Sequence, residues 1–245
     1  MGTRMAPGIF LTAEWRWLAM LNYEVDPVLL RRRVPQGTEL DTWNGRTFVS
    51  VVGFRFLETR LFGVAVPFHR DFDEVNLRFY VRRRVPEGWR RGVVFIREFV
   101  PRAALAVVAW LAYGEPYSTV RMRHTLEPER GRVRYAWRCA GQWCVLETCF
   151  LGDPKRATEG TLEAFLVEHY WGYTSRRDGG SSEYRVEHPP WKLWSSESAS
   201  LECDVASVYG PEFVGSLSGR PATAFVADGS AVQVRRGVQL AKEAK

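Results

Sequence analysis

The segment Glu74-Val-Asn-Leu-Arg-Phe-Tyr-Val81 sets Glu74, Asn76, Arg78 and Tyr80 at one parity and Val75, Leu77, Phe79 and Val81 at the other. Successive side chains of a strand point to opposite faces, so this period of two predicts a strand with one apolar and one polar face. The apolar face requires a core. The polar face has two readings. It faces solvent, where Glu and Arg two apart solubilise the sheet, or it points into the interior of a closed sheet.

Neighbouring segments extend the β pattern. GVVFIREFV (92–100) is expected to pair antiparallel with this strand across the turn at Pro86-Glu-Gly88. Phe10 to Tyr23 reads as a strand entering the core, and Asp26-Pro27 supplies a cap and first-turn proline for a short helix, VLLRRR, closed by Pro35 and Gly37. Within ELDTWNGRTFVSVVGFRF (39–56), Asn44-Gly45 predicts a tight hairpin. A buried helix is expected from Pro101 to Tyr113, ended by Gly114. Strands at 117–126, 132–139 and 142–150 follow as a meander, in which Cys139 and Cys144 flank a turn and could face each other. An amphipathic helix at about 158–172, a turn at Gly179-Gly180, SEYRVEHPPW and tail strands at about 223–236 around Asp228-Gly229 complete the pattern. No Pro/Gly/Ser linker divides the chain. The expected fold is α+β, one domain over 1–245 with its core at about 10–236 and a polar tail at 237–245, built on a large, mostly antiparallel sheet expected to close.

Composition narrows the function classes. The longest apolar run, 103–113, is too short for a membrane span, which needs roughly 20 residues, and the first residues show no secretory core or cleavage site. The expectation is a cytoplasmic protein. Net charge is +6, and only four of the 34 basic residues are lysines: Lys155, Lys192, Lys242 and Lys245. The triplets Arg31–Arg33 and Arg82–Arg84 would make a nucleic-acid surface only if they converged, so a nucleic-acid partner is disfavoured. Four cysteines without CxxC spacing, and histidines (His69, His124, His169, His188) without ligand spacing, imply no metal. The histidines read as structural rather than catalytic. No dinucleotide or phosphate loop and no HExxH is present, and GSLSG (215–219) carries Leu217 where a nucleophile elbow needs serine. No cofactor is implied.

VDPVLLRRRVPQGTELDTWNGRTFVSVVGFRF, FDEVNLRFYV, the turn GEPY and EYRVEHPPW together resemble the uncharacterised YqjF-like bacterial family, a branch of the acetoacetate-decarboxylase-like superfamily. The resemblance spans roughly residues 10–230. It implies a cone-shaped, mostly antiparallel β-barrel with flanking helices, enclosing a pocket. The decarboxylases carry a Schiff-base lysine and a second lysine after a Gly-x-Pro turn. The matching turn here is Gly114-Glu-Pro116, followed by Tyr117 and Ser118, neither of which can form an imine. The resemblance also matches Glu74 to a pocket glutamate, and it favours the interior reading of Glu74, Asn76 and Arg78.

The strand after the turn puts Tyr117 and Arg121 on one face. Either Arg121 lowers the Tyr117 phenol's pKa and grips a carboxylate, or Tyr117 packs under the helix and Arg121 caps a surface. Three functions stay open. The first is a small-molecule-binding barrel for an anionic carboxylate or carbonyl ligand held by Glu74, Asn76, Arg78, Tyr117 and Arg121. The second is a lyase or hydratase without a Schiff base, using Glu74 and Tyr117 as an acid/base pair. The third is an interaction module with a lost site. A homo-oligomer is left open.

Overall fold

The computed structural model describes residues 8–65, 70–101 and 116–240. The helix expected after Pro101 lies outside the described residues, as do His69, Gly114 and Glu115.

Four long strands and two short ones come first. β1 (Ile9–Val25) is followed by β2 (Glu39–Leu40), β3 (Thr47–Leu61), β4 (Val64–Ala65), β5 (Phe72–Val85) and β6 (Gly88–Val100). Then come β7 (Tyr117–Thr119), β8 (Met122–Glu127), β9 (Arg132–Cys139), β10 (Gln142–Phe150) and β11 (Lys155–Arg156). Helix α1 (Leu162–Val167) precedes β12 (Trp171–Ser175), β13 (Ser181–Glu187) and β14 (Lys192–Glu202). Two short helices, α2 (Val205–Tyr209) and α3 (Val214–Leu217), lead to β15 (Thr223–Arg235) and β16 (Val238–Gln239).

The strands form one sheet whose hydrogen-bonded order runs β16-β13-β12-β6-β5-β3-β1-β15-β14-β10-β9-β8, and β13 also pairs with β15. Pairing is antiparallel except where β6 meets β7 and β12. The β8–β9–β10 meander lies against the β1–β3–β5 face. Tyr135 of β9 donates to the Trp17 carbonyl at 2.8 Å. Its ring passes over Gly53, where a Cβ would sit 2.6 Å from Cδ2, so only glycine lets the layers close.

β5 is buried on both sides. Val75, Leu77, Phe79 and Val81 join Tyr135, Trp137 and Phe213 in one apolar core. Tyr80 of the other face packs with Phe48, Val52, Phe54, Phe165 and Leu166 in a second.

Several expectations change. Asp26 does cap, accepting from the Val28 amide at 2.8 Å, but it opens two 3₁₀ turns, Pro27–Leu29 and Arg31–Arg33, instead of an α-helix. Asn44 and Gly45 adopt positive φ, yet the hairpin is one bridge, Trp43 to Arg46; β2 pairs with β5, not β3. The helix expected at 158–172 is six residues long. Thr161 caps it, and from Trp171 the chain pairs with β6, so tertiary pairing overrides the helical pattern. The tail strands expected at about 223–236 are one strand, β15. Gly229 bends it at positive φ, where a Cβ would lie 1.9 Å from the Trp15 carbonyl oxygen. Cys139 is opposite Gln142 and Cys144 opposite Trp137, so the two thiols share a face as diagonal neighbours and are not directly opposite each other.

The strand expected over 117–126 is two. β7 runs parallel to β6, Val120-Arg121 form the step between the two strands, and β8 pairs with β9. That break separates Tyr117 from Arg121.

Candidate functional site

A cavity of about 100 Å³ opens on the side of β5 away from the first core. β1, β3 and β6 supply its apolar wall, with Trp15, Phe54, Phe56 and Phe95, and Trp171, Tyr184 and Trp191 contribute from the C-terminal half. Trp15 meets Phe54 and Phe56 edge-on at 5.3 and 5.6 Å, which holds the aromatic floor rigid.

The polar wall is a row across three strands. Glu74, Asn76 and Arg78 of β5 all line the cavity, as do Glu98 of β6 and Tyr117 of β7. Asn76 is opposite Glu98, and Glu98 is opposite Tyr117, so sheet register sets these three side by side. Glu74, Asn76 and Glu98 are at most 3 % exposed. The polar face of β5 is therefore interior rather than solvated. Asn76 Nδ2 donates to Glu74 Oε1 at 3.0 Å, while Asn76 Oδ1 is buried and accepts no hydrogen bond among the described residues.

Arg78 differs from most arginines of the chain. It makes no ion pair among the described residues, and its buried Nε donates to nothing. Its recorded neighbours are the Met20 sulfur at 3.9 Å and the Tyr80 ring at 5.9 Å. A guanidinium is planar, charged and rich in donors, and a buried donor without an acceptor is costly.

Two histidines border the same space. His169 follows α1, its ring 4.7 Å from Tyr80 and 5.4 Å from Phe165. Its Nε2 lies 3.4 Å from Asp41 Oδ2, which also accepts from Arg91 Nε at 2.6 Å. Burial pushes His169 down to about 4, against the opposing pull of Asp41, so the ring is neutral at pH 7. Asp41 is held below the usual carboxylate range: burial opposes its charge, but hydrogen bonding to His169 and Arg91 outweighs that. His188 stacks on Trp191 at 4.1 Å, and burial depresses it too.

Of the residues singled out from sequence, Glu74, Asn76, Arg78 and Tyr117 share the cavity, whereas Arg121 is exposed and lies outside it. Lys155 and Lys192 are exposed, and among the described residues no lysine lines the cavity. Glu98, His169 and His188 were not expected there. Glu98 escapes a reading of the β5–β6 turn because the register shifts between Leu77 and Arg78: counting back from Val85 opposite Gly88 would set exposed Arg97, not Glu98, beside Asn76. His169 carries no local signal, since its partner Asp41 is remote in sequence.

The Arg triplets are tied into separate ion pairs, Arg33 with Glu212, Arg82 with Glu39 and Arg83 with Glu183. Among the described residues, no group of three or more His, Cys, Asp or Glu is placed to hold a metal ion, and no helix is long and apolar enough to cross a membrane.

Comparison with known proteins agrees with this architecture. The chain is 26% identical over 208 residues to the uncharacterized protein YqjF of Bacillus subtilis (strain 168), covering 83% of each. Among solved structures, acetoacetate decarboxylase from Legionella pneumophila superposes with a TM-score of 0.68 at 15% identity, over 98% of this chain and 91% of that one. The enduracididine biosynthesis enzyme MppR, in complex with pyruvate, superposes with a TM-score of 0.67 at 13% identity, over 98% and 93%. At these identities the likeness is one of fold: mostly sheet, α+β, of the acetoacetate-decarboxylase-like kind. The model of DUF2071, "Uncharacterized conserved protein (COG2071)", matches residues 12–231, and the chain belongs to that family.

Proposed function

We propose that the protein binds a small anionic molecule, a carboxylate or carbonyl compound, in the cavity beside β5. One observation carries the reading: Arg78 is set in an aromatic-lined cavity without a carboxylate partner among the described residues, its Nε buried and donating to nothing. Such a group suits two-pronged recognition of a carboxylate. Glu74, Asn76 and Tyr117 orient the remainder of the ligand, and the apolar wall excludes water from it. Arg121 drops out of the set because it is exposed.

The enclosure itself is part of the proposal. Pairings pass from β13 through β12, β6, β5, β3, β1 and β15, and Val186–Val234 pairing returns from β15 to β13. We read that circuit as the cone-shaped barrel of the superfamily, with the cavity at its interior. Tyr117, next to Pro116, takes the place where the decarboxylases keep the lysine pair. Imine-based decarboxylation is accordingly disfavoured, and the neighbour MppR, which holds pyruvate, supports a small oxo acid as the ligand class. A second reading, a lyase or hydratase without a Schiff base, draws on Glu74 and Tyr117 lining one cavity.

Thermal unfolding with a panel of small carboxylates and 2-oxo acids tests the proposal. A ligand of the native state raises Tm with concentration, by a stabilisation of about 2.7 kcal/mol at a hundredfold excess over Kd. The rise is expected in the wild type and in Arg121→Ala, and its loss in Arg78→Met. Failure of every compound, or an undiminished response in Arg78→Met, overturns the reading. Borohydride trapping of an adduct on Lys192 would restore imine chemistry.

A further inference from the structure

Building on the cavity as a carboxylate or carbonyl site, we propose that His169, positioned by Asp41, is its general base, and that the protein removes a proton from the carbon beside the carbonyl of a bound 2-oxo acid.

Three observations converge. The His169 ring lines the cavity, with its side chain 2 % exposed. Nε2 lies 3.4 Å from Asp41 Oδ2 without forming a well-aligned hydrogen bond, a long contact of the kind that tightens when a ligand arrives. Nδ1 is buried and engages no hydrogen-bond partner among the described residues. Asp41 is itself anchored by Arg91, so once the contact closes, a carboxylate accepting from Nε2–H selects the tautomer whose Nδ1 carries the lone pair. A core histidine with only a packing role has no need of a buried carboxylate behind it and an unengaged nitrogen at a cavity wall.

The groups facing His169 are Asp41 after β2, Arg78 and Tyr80 of β5, Arg91 of β6 and Phe165 of α1. Glu74, Glu98 and Tyr117 stand elsewhere on the same wall. Burial and the two guanidinium charges keep the imidazole neutral and able to accept. A carboxylate on Arg78 cancels one of those charges and raises the basicity of the ring when the substrate is present.

The step balances without a co-reactant. Nδ1 takes the proton from C3. The C–H electron pair becomes the C2–C3 double bond, and the carbonyl pair moves onto oxygen to give the enolate. Return of the proton from the imidazolium to C3 restores the ketone. The chemistry is that of an isomerase or a lyase acting beside a carbonyl.

Proton NMR in D₂O, following the C3 signals of pyruvate and of 2-oxobutanoate, tests the assignment, with Tm shifts measured in parallel. The wild type should exchange C3 protons at least about 100-fold faster than buffer alone, and His169→Gln should lose about that factor while keeping the Tm shift. His169→Asn is the alternative should the glutamine variant misfold. Asp41→Asn, removing the carboxylate that supports the ring's basicity, should slow exchange about tenfold and move the acid limb of its pH profile to lower pH. A wild type that binds, with a shift abolished in Arg78→Met, but does not exchange overturns the base assignment and leaves the binding site standing. So does exchange undiminished in His169→Gln. No Tm shift with either acid overturns the binding reading and this inference together.

Discussion

The two faces of β5 are equally buried and differently used. On one, Leu77 and Phe79 are fully covered in a core of branched and aromatic side chains. On the other, Glu74 and Asn76 are nearly as covered, yet they meet a cavity with a guanidinium, a second carboxyl group and a phenol. Apolar burial stabilises by removing surface from water, whereas a polar group stabilises nothing when buried without partners. The polar face is therefore a cost to folding that only a bound molecule, or the paired groups around it, offsets. This contrast separates what holds the molecule together from what it is shaped to hold.

The largest effect should come from the apolar face. Phe79→Ala is expected to lose about 3–5 kcal/mol in urea unfolding at pH 7, because a fully buried ring leaves a cavity. A loss under about 1 kcal/mol would mean that this face is not the core and would dissolve the comparison.

A pH series probes the cavity side. His169 drops from its ordinary 6.5 to about 4 in the fold, so the unfolded chain binds the proton first as pH falls. Stability should therefore decline from about pH 6.5 to 4, by at most about 3 kcal/mol. Asp41 acts in the same direction at lower pH: its depressed value contributes stability above the ordinary carboxylate range that is lost as pH falls through and below that range. Urea midpoints at pH 7 and 4.5 should converge in His169→Gln, apart from the smaller slope that His188 leaves. An unchanged slope in that variant would show that the ring is not held neutral.

Arg78→Met sharpens the contrast further. Replacing a guanidinium that has no ion pair among the described residues by an apolar chain of similar reach should change stability by about 1 kcal/mol or less, in either direction. Its ligand response should vanish. A loss above about 3 kcal/mol would make Arg78 a structural group. Smallest of all, Arg121→Ala should stay within about 0.5 kcal/mol and leave ligand-induced Tm shifts intact, as an exposed side chain outside the cavity. Loss of the ligand response there would bring Arg121 back into the site.

Much of the fold was legible along the chain. Period-two patterning in 74–81 marked one strand, and the turn at Pro86-Glu-Gly88 made 92–100 its antiparallel neighbour, as their pairing has it. That Glu74, Asn76 and Arg78 share one face followed from alternation, and alternation is a property of the backbone itself. Helix extents were less legible, because Trp171 has a partner in β6 that a local pattern does not contain.

What the sequence by itself determined is thus which residues travel together: the β5 triplet on one side, its apolar alternates on the other, and Tyr117-Ser118, not lysines, after Gly114-Glu-Pro116. Only the tertiary structure decided which side faces what. A register shift in the β5–β6 pair brought Glu98 rather than Arg97 beside Asn76. The end of β7 at Thr119 sent Arg121 to solvent while Tyr117 stayed at the wall. The close of α1 after Val167 set His169 against Asp41. Each depends on pairing and packing between segments distant in the chain, and no local pattern carries that information.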